Sequence, residues 1–514
     1  MLRITKTENG MVRGLPAADT WITAFKGIPF AAPPVGKNRW RVPQPAENWE
    51  GIRDCFRFGP IPMQDVPSGN GFYDKEWHND PARDCMAEMS EDCLYLNVWT
   101  PAKSAEERLP VMVWIFGGGL NWGHPQEMEF DGERIARRDV VIVSVGYRLN
   151  AFGFMAHPEI TAENGGVNCA NFGLYDQKAG IDWVRRNIQN FGGDPDNITI
   201  FGQSAGGRST LCQILTPLNE NNGITHAITQ SGGGLSFHSG NFSGGYPTLA
   251  EAEEGGVKFL EYLGVKNIEE ARQIDAETLR DKASAFRNAG IHRWGLCVDG
   301  TFLPDQPNKM LAENRRLQIP VMVGNTDDEF RDVFNTENPE AFEASVKTVL
   351  GEDADEFFRL CGYPEADFAE VQKAAKLNGS CFGARLLSMR GADAGLPMYF
   401  YSFGPEIPGE DHPGAFHSSE LWFTFETLAK CWRPFVGKHY DLARQMCNYW
   451  TNFAKTGNPN GLDADGTPMP EWTPFTKDAP EGITFRESSA MDTAARHPAI
   501  DFLYETAAKR LWRK

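Results

Sequence analysis

Gly202-Gln203-Ser204-Ala205-Gly206 sets a serine hydroxyl between two glycines at the spacing G-x-S-x-G. A serine is a weak nucleophile by itself, and a turn tight enough to need flanking glycines pushes its hydroxyl outward to where a histidine base can reach it. The pattern is short, so its setting decides its meaning. Ile198-Thr199-Ile200-Phe201 reads as a strand running straight into Gly202, and Ala205–Leu215 reads as a helix-compatible run that follows. Strand, sharp turn and helix are the context in which Ser204 becomes a nucleophile.

Acyl transfer also needs donors for a developing oxyanion. Phe116-Gly117-Gly118-Gly119-Leu120 follows a strand-like run, and its glycines leave backbone N–H groups open to a substrate oxygen. Where such a serine turn is used, the chain order is serine, acid, histidine. His417, in Gly414-Ala415-Phe416-His417-Ser418-Ser419-Glu420-Leu421, is the base candidate, while His412, His439 and His497 read as solvated or structurally satisfied. The acid falls in Gly324-Asn325-Thr326-Asp327-Asp328-Glu329, and spacing does not choose among its three carboxylates.

These residues need a scaffold. Short apolar runs at 111–116, 140–145, 198–201, 226–230, 319–323 and Met398–Phe403 read as buried strands alternating with helical patterns, which predicts an α/β fold with a large, mostly parallel central sheet flanked by helices. In 174–190, Ile181, Val184 and Ile188 recur at helical spacing, Gly192-Gly193 stops the helix, and Asp194-Pro195-Asp196-Asn197 reads as a turn. Segments 55–91, 235–298 and 331–395 do not fit the alternation and read as cap and pocket insertions in a single domain, 1–514, without repeats.

Composition narrows the partners. Lys and Arg number 50 against 69 Asp and Glu, a net charge of -19 that disfavours nucleic acid and anionic lipid and leaves neutral or cationic small molecules. No apolar run approaches the roughly 18 residues of a membrane span. The first residues, Met1-Leu2-Arg3-Ile4-Thr5-Lys6, lack a signal-type apolar core, so a cytoplasmic location is expected, with a secreted chain already trimmed of its signal as the alternative. The 10 cysteines form no CxxC or Cys/His cluster, which argues against structural zinc and for buried thiols.

From end to end the chain resembles the type-B carboxylesterase family, the group of carboxylesterases, cholinesterases and their relatives with the α/β-hydrolase fold. The resemblance rests on Phe25-Lys26-Gly27-Ile28-Pro29-Phe30-Ala31-Ala32-Pro33-Pro34-Val35-Gly36, Ser90-Glu91-Asp92-Cys93-Leu94-Tyr95-Leu96-Asn97, Asn171-Phe172-Gly173-Leu174-Tyr175-Asp176-Gln177, Phe191-Gly192-Gly193-Asp194-Pro195 and Asp299-Gly300-Thr301-Phe302-Leu303-Pro304-Asp305. It implies Ser204 as nucleophile, Glu329 as acid, His417 as base, and the N–H groups of Gly118, Gly119 and Ala205 as the oxyanion hole. It also implies two scaffold ion pairs, Arg39 with Glu91 and Arg148 with Asp176. Phe116, Gln203, Gly146 and Phe330 depart from the residues the family commonly carries, His, Glu, Asn and Gly respectively. In secreted relatives Cys93 pairs with an upstream cysteine that is missing here, leaving Cys55 or Cys85 as substitutes or a reducing compartment as the explanation.

The expected activity is hydrolysis of a small carboxylic ester through an acyl-enzyme, with no metal or organic cofactor. The alternatives are a lipase, which requires a strongly apolar lid, and a non-catalytic cholinesterase-like binding protein. A quaternary-ammonium site would need aromatic residues such as Tyr73 and Trp77, for which surface or packing roles are the stronger expectation.

Overall fold

The computed structural model describes residues 1–69, 71–76, 87–235, 245–493 and 495–513. Trp77 and Cys85 lie outside the described residues. A small three-stranded sheet is made by β1 (Ile4–Thr7), β2 (Gly10–Arg13) and β5 (Ile52–Asp54). The remaining strands form one 11-stranded sheet: β3 (Leu15–Pro16), β4 (Thr23–Pro29), β6 (Tyr95–Thr100), β7 (Leu109–Ile115), β8 (Val141–Val145), β9 (Gly193–Gln203), β10 (Ile224–Gln230), β11 (Val321–Thr326), β12 (Met398–Phe403), β13 (Ile483–Phe485) and β14 (Ser489–Met491). Across the sheet the order is β14-β13-β12-β11-β10-β9-β7-β8-β6-β4-β3. Neighbours from β13 to β8 run parallel, and β14, β6, β4 and β3 join antiparallel at the two edges. The mostly parallel sheet expected from the alternating runs is present.

The central strands are apolar on both faces because helices cover both. Met112, Trp114, Ile142, Phe201, Ile228 and Met322 enter one buried cluster. Their sequence neighbours Val111, Val113, Val143, Ile200, Ala227 and Val323 enter the other. This period-2 division is why short β-branched runs were sufficient to locate the strands.

Two strand boundaries differ from the sequence reading by more than two residues. Residues 194–197 are part of β9 rather than a turn preceding it. Leu109 pairs with Gly193 and Val111 with Ile198, so these residues bulge from the ladder opposite Pro110, which has no N–H to pair. β11 starts after Pro320 and continues through Gly324-Asn325-Thr326, which read as loop residues, because β12 pairs with them through Tyr401, Ser402 and Phe403.

The helix Phe172–Asn187 ends through a short 3-10 turn, Ile188–Phe191, capped by Gly192 at φ 80°. Within 235–298, helices Leu249–Leu263 and Ala276–Asn288 pack through Phe259 and Phe286, with Trp294 against both rings. Within 331–395, helix Gly379–Asp393 lies on β11 and β12 as the crossover between them. Cys55 and Cys93 are separate buried thiols. Among the described residues, no helix is long and apolar enough to cross a membrane.

Candidate active site

β9 delivers Ser204 to the start of helix Ala205–Leu215 with φ 56° and ψ -122°, a conformation rarely held by a residue with a side chain. Close approach explains the glycines on either side. A Cβ on Gly202 would stand 2.5 Å from the Gly206 backbone, and one on Gly206 would stand 2.1 Å from the Ile115 carbonyl oxygen. The turn is tied to the sheet by Ser204 N–H donating to Gln230 O at 2.8 Å, and to the helix by Arg208 N–H donating to Ser204 O at 2.9 Å.

β11 ends at Thr326 and places Glu329 three residues later. The Thr326 N–H and hydroxyl hold Glu329 Oε1 at 3.3 and 3.1 Å, which turns Oε2 toward His417 Nδ1 at 2.5 Å. The two side chains are only 2% and 8% exposed, so water does not compete for this bond. Burial alone would push the Glu329 carboxyl up, but the hydrogen bond and charge of His417, helped by Ser231, outweigh it and hold Glu329 below its ordinary value. A carboxylate at Nδ1 fixes the neutral imidazole with its lone pair on Nε2. Nε2 faces the Gln203 amide at 3.3 Å, beside the serine. The structure therefore joins Glu329 to His417 directly. Ser204 Oγ makes no hydrogen bond to His417 among the described residues.

The glycine loop after β7 lies against the same turn: a Cβ on Gly117 would stand 3.3 Å from Ser204 Cβ. Gly118 and Gly119 have φ of 96° and 63°, and the Gly118 carbonyl accepts from Asn121 and Trp122 N–H at 3.0 and 3.1 Å. The loop is braced from below by Gln64, whose Nε2 donates to Gly123 O at 3.0 Å and whose Oε1 accepts from Gly123 N–H at 2.8 Å.

A carboxylesterase family model matches residues 2–378 and 380–503. The chain belongs to the carboxylesterase family. It is 34% identical over 477 residues to fumonisin B1 esterase of Sphingopyxis macrogoltabida, covering 89% of this chain and 82% of that one. Para-nitrobenzyl esterase of Bacillus subtilis is 31% identical over 475 residues, covering 89% and 91% respectively. A solved carboxylesterase of Geobacillus stearothermophilus superposes with a TM-score of 0.75 at 28% identity, covering 98% of this chain and 99% of that one. The chain is thus a serine ester hydrolase with the α/β-hydrolase fold.

In this carboxylesterase the unselected acids and histidines have other partners. Asp327 accepts from Ser402 Oγ at 2.8 Å and pairs with Arg486, and Asp328 holds the Ala415 N–H at 2.8 Å, fixing the segment that carries His417. His412 is exposed, His439 accepts from Val436 N–H at 3.0 Å, and His497 accepts from Ala499 N–H at 3.3 Å at a helix start. Both expected ion pairs form in the interior, Arg39 with Glu91 at 2.6 Å and Arg148 with Asp176 at 2.7 Å. Phe116, where many relatives carry His, stacks on Tyr147 at 4.2 Å. Gly146 is required by close approach, since a Cβ would stand 2.6 Å from Cys93 O.

The sequence reading did not place several neighbours at His417. Glu420, one helical turn beyond His417, is buried and receives the Ser231 hydroxyl at 3.4 Å. Burial, then the charge of Glu329, pushes its carboxyl up to about 7. Tyr73 donates its hydroxyl to His417 O at 3.1 Å. Phe330 is 68% exposed with its ring 4.4 Å from the His417 ring, and Trp122, 43% exposed, covers Gly119. The signal for Phe330 was adjacency to Glu329; nothing in the sequence shows that the wall around His417 is aromatic.

Proposed function

We propose that the chain is a carboxylesterase that cleaves small carboxylic esters through an acyl-enzyme on Ser204, with His417 as base and Glu329 as its orienting acid. The observation that carries this reading is the 2.5 Å bond from His417 Nδ1 to Glu329 Oε2, which leaves the Nε2 lone pair on the side of the serine turn. The Gln203 amide caps that lone pair at rest, and the Ser204 hydroxyl takes its place as substrate binds.

His417 Nε2 then accepts the hydroxyl proton while Ser204 Oγ attacks the ester carbonyl carbon. The carbonyl oxygen becomes an anion held by the N–H groups of Gly118, Gly119 and Ala205. Collapse expels the alcohol, which takes the proton back from His417, and leaves the acyl group on Ser204. Water, deprotonated by His417, attacks this ester. Collapse of the second tetrahedral intermediate returns the proton to Ser204 and releases the carboxylic acid. Glu329 stabilises the imidazolium in both halves without itself being protonated. The exposed faces of Phe330 and Trp122 offer apolar surface to the non-reacting part of the ester.

The test is hydrolysis of p-nitrophenyl esters from acetyl to palmitoyl by the wild type and Ser204→Ala side by side. A short-chain preference with an inactive variant supports the carboxylesterase reading, and a long-chain optimum moves it to a lipase. A folded wild type that hydrolyses none of them overturns it in favour of a binding protein.

A further inference from the structure

Three side chains meet the imidazole of His417, and the mechanism above leaves one of them without a specific task. Glu329 Oε2 takes the Nδ1 edge at 2.5 Å, and the Gln203 amide takes the Nε2 edge at 3.3 Å. Phe330 takes a face. Its ring centroid stands 4.4 Å from the imidazole centroid with the planes at 44°, closer than two rings lying edge to edge in one plane can come. The chain around the contact holds it there. Asp328 forms a β-bridge with Phe416, its N–H donating to Ala415 O at 3.1 Å and its carboxylate accepting the Ala415 N–H at 2.8 Å. The segment that carries Phe330 is thereby laced to the segment that carries His417.

Phe330 is nonetheless 68% exposed. A ring that leaves most of its surface to water adds little to the core, and the Tyr73 ring stands 6.5 Å from it at 68° without covering it. The position follows the acid directly, where the family resemblance leads one to expect Gly, so the ring is an addition of this chain. The chemistry decides which half of an ester this ring meets. The proton that His417 takes from Ser204 passes to the departing alcohol, so the alcohol oxygen must come within about 3 Å of Nε2 as its bond breaks. The group carried by that oxygen then lies beside the imidazole, within contact of the ring that leans over it. The acyl half stays on Ser204.

Resting on the carboxylesterase reading, we propose that Phe330 recognises the alcohol half of the substrate, so that the preferred substrates are esters of aryl or arylmethyl alcohols whose ring packs against Phe330 while their oxygen takes its proton from His417. Aromatic pairs favour offset-stacked or edge-to-face contact, worth roughly two- to tenfold beyond the apolar area that they bury. A ring already fixed by the Asp328 bridge is placed for that contact before substrate arrives.

The test compares kcat/KM for two pairs of esters that differ only in whether a six-membered ring is aromatic. Benzyl acetate against cyclohexylmethyl acetate probes the alcohol side, and methyl phenylacetate against methyl cyclohexylacetate the acyl side. Phe330→Leu keeps an apolar side chain at an exposed position, and circular dichroism checks its fold. This variant is expected to lower the benzyl-over-cyclohexylmethyl preference roughly two- to tenfold, mainly through KM, and to shift the acyl-side ratio by less. Phe330→Tyr is expected to keep most of the preference. Deacylation after a burst with p-nitrophenyl acetate, when the alcohol has already left, is expected to lose less than kcat/KM for benzyl acetate does. A preference that survives in Phe330→Leu, or a larger shift on the acyl-side pair, overturns the proposal. So does deacylation that falls as far as kcat/KM, because the ring then acts through His417 and not on the alcohol. Ser204→Ala separates the two claims, since hydrolysis of these esters by that variant overturns the carboxylesterase reading itself.

Discussion

At Glu329 one carboxylate oxygen is held by Thr326 while the other meets His417, and that division makes the residue irreplaceable by its own amide. Glu329→Gln keeps the shape but presents either an N–H to Nδ1 or a neutral oxygen, so the imidazole loses both its fixed tautomer and the stabilisation of its cation. The expected result is a fall in kcat of about 10³- to 10⁴-fold, measured on p-nitrophenyl acetate, with an unchanged circular dichroism spectrum. Asp327→Asn retains the Ser402 contact and is expected to stay within about tenfold of the wild type; a larger loss there than at Glu329 would reassign the acid. The sequence left these carboxylates open because each follows the same strand. What separates them is side-chain direction, which depends on where β11 stops pairing with β12, and the polar tail Gly324-Asn325-Thr326 hid that point.

At the scale of elements, the two glycine-bearing turns were legible because steric contact admits no other residue. The loop after β7 is the sharper case: Gly118 has φ 96°, and a Cβ there would stand 2.1 Å from Trp122 O. Gly118→Ala must therefore move the loop. Its kcat is expected to fall about 10²- to 10³-fold, the cost of losing one oxyanion donor, while KM for a short ester changes little. Activity within a few-fold of wild type would mean that the Gly118 N–H takes no part. The support under this loop was not legible. Glu127 and Glu129 drew no reading from the sequence, yet both are buried, with the Glu127 carboxylate accepting the His124 N–H at 2.8 Å. Likewise the bulge at 194–197 carries turn residues, and only the opposing Pro110 shows why they bulge instead of ending the strand.

Across the whole molecule, the sheet was legible from period-2 patterning, whereas its buried acids were not, because a lone Glu in a sequence gives no sign of its depth. Burial pushes the carboxyls of Glu127, Glu129 and Glu420 up, the last to about 7. Between their ordinary value near 4.5 and those raised values, the folded protein holds protons that the unfolded chain has released. Unfolding free energy is therefore reduced as pH rises through this window, by roughly 3 kcal/mol for Glu420 alone. Glu129→Leu removes one buried acid, so its unfolding midpoint is expected to exceed the wild type's by more at pH 8 than at pH 5.5. Thermal denaturation at the two pH values checks this, and a gap independent of pH would mean that Glu129 is not raised. Arg39 and Glu91 act at the same scale, tying the N-terminal segment beneath the site to the 235–298 region through Ala271 O and Ile274 O at 3.1 and 2.8 Å. Removing one partner leaves the other charge buried and is expected to cost about 3 to 5 kcal/mol.

The central claim is that Ser204 carries the acyl group. The measurement that tests it most directly is acid quench of the enzyme during turnover of a p-nitrophenyl ester, followed by mass spectrometry of the peptide containing residue 204. The expected result is a mass increase equal to one acyl group, localised to Ser204 and absent in Ser204→Ala. An acyl adduct on another residue, or wild-type rates of hydrolysis in Ser204→Ala, would contradict it.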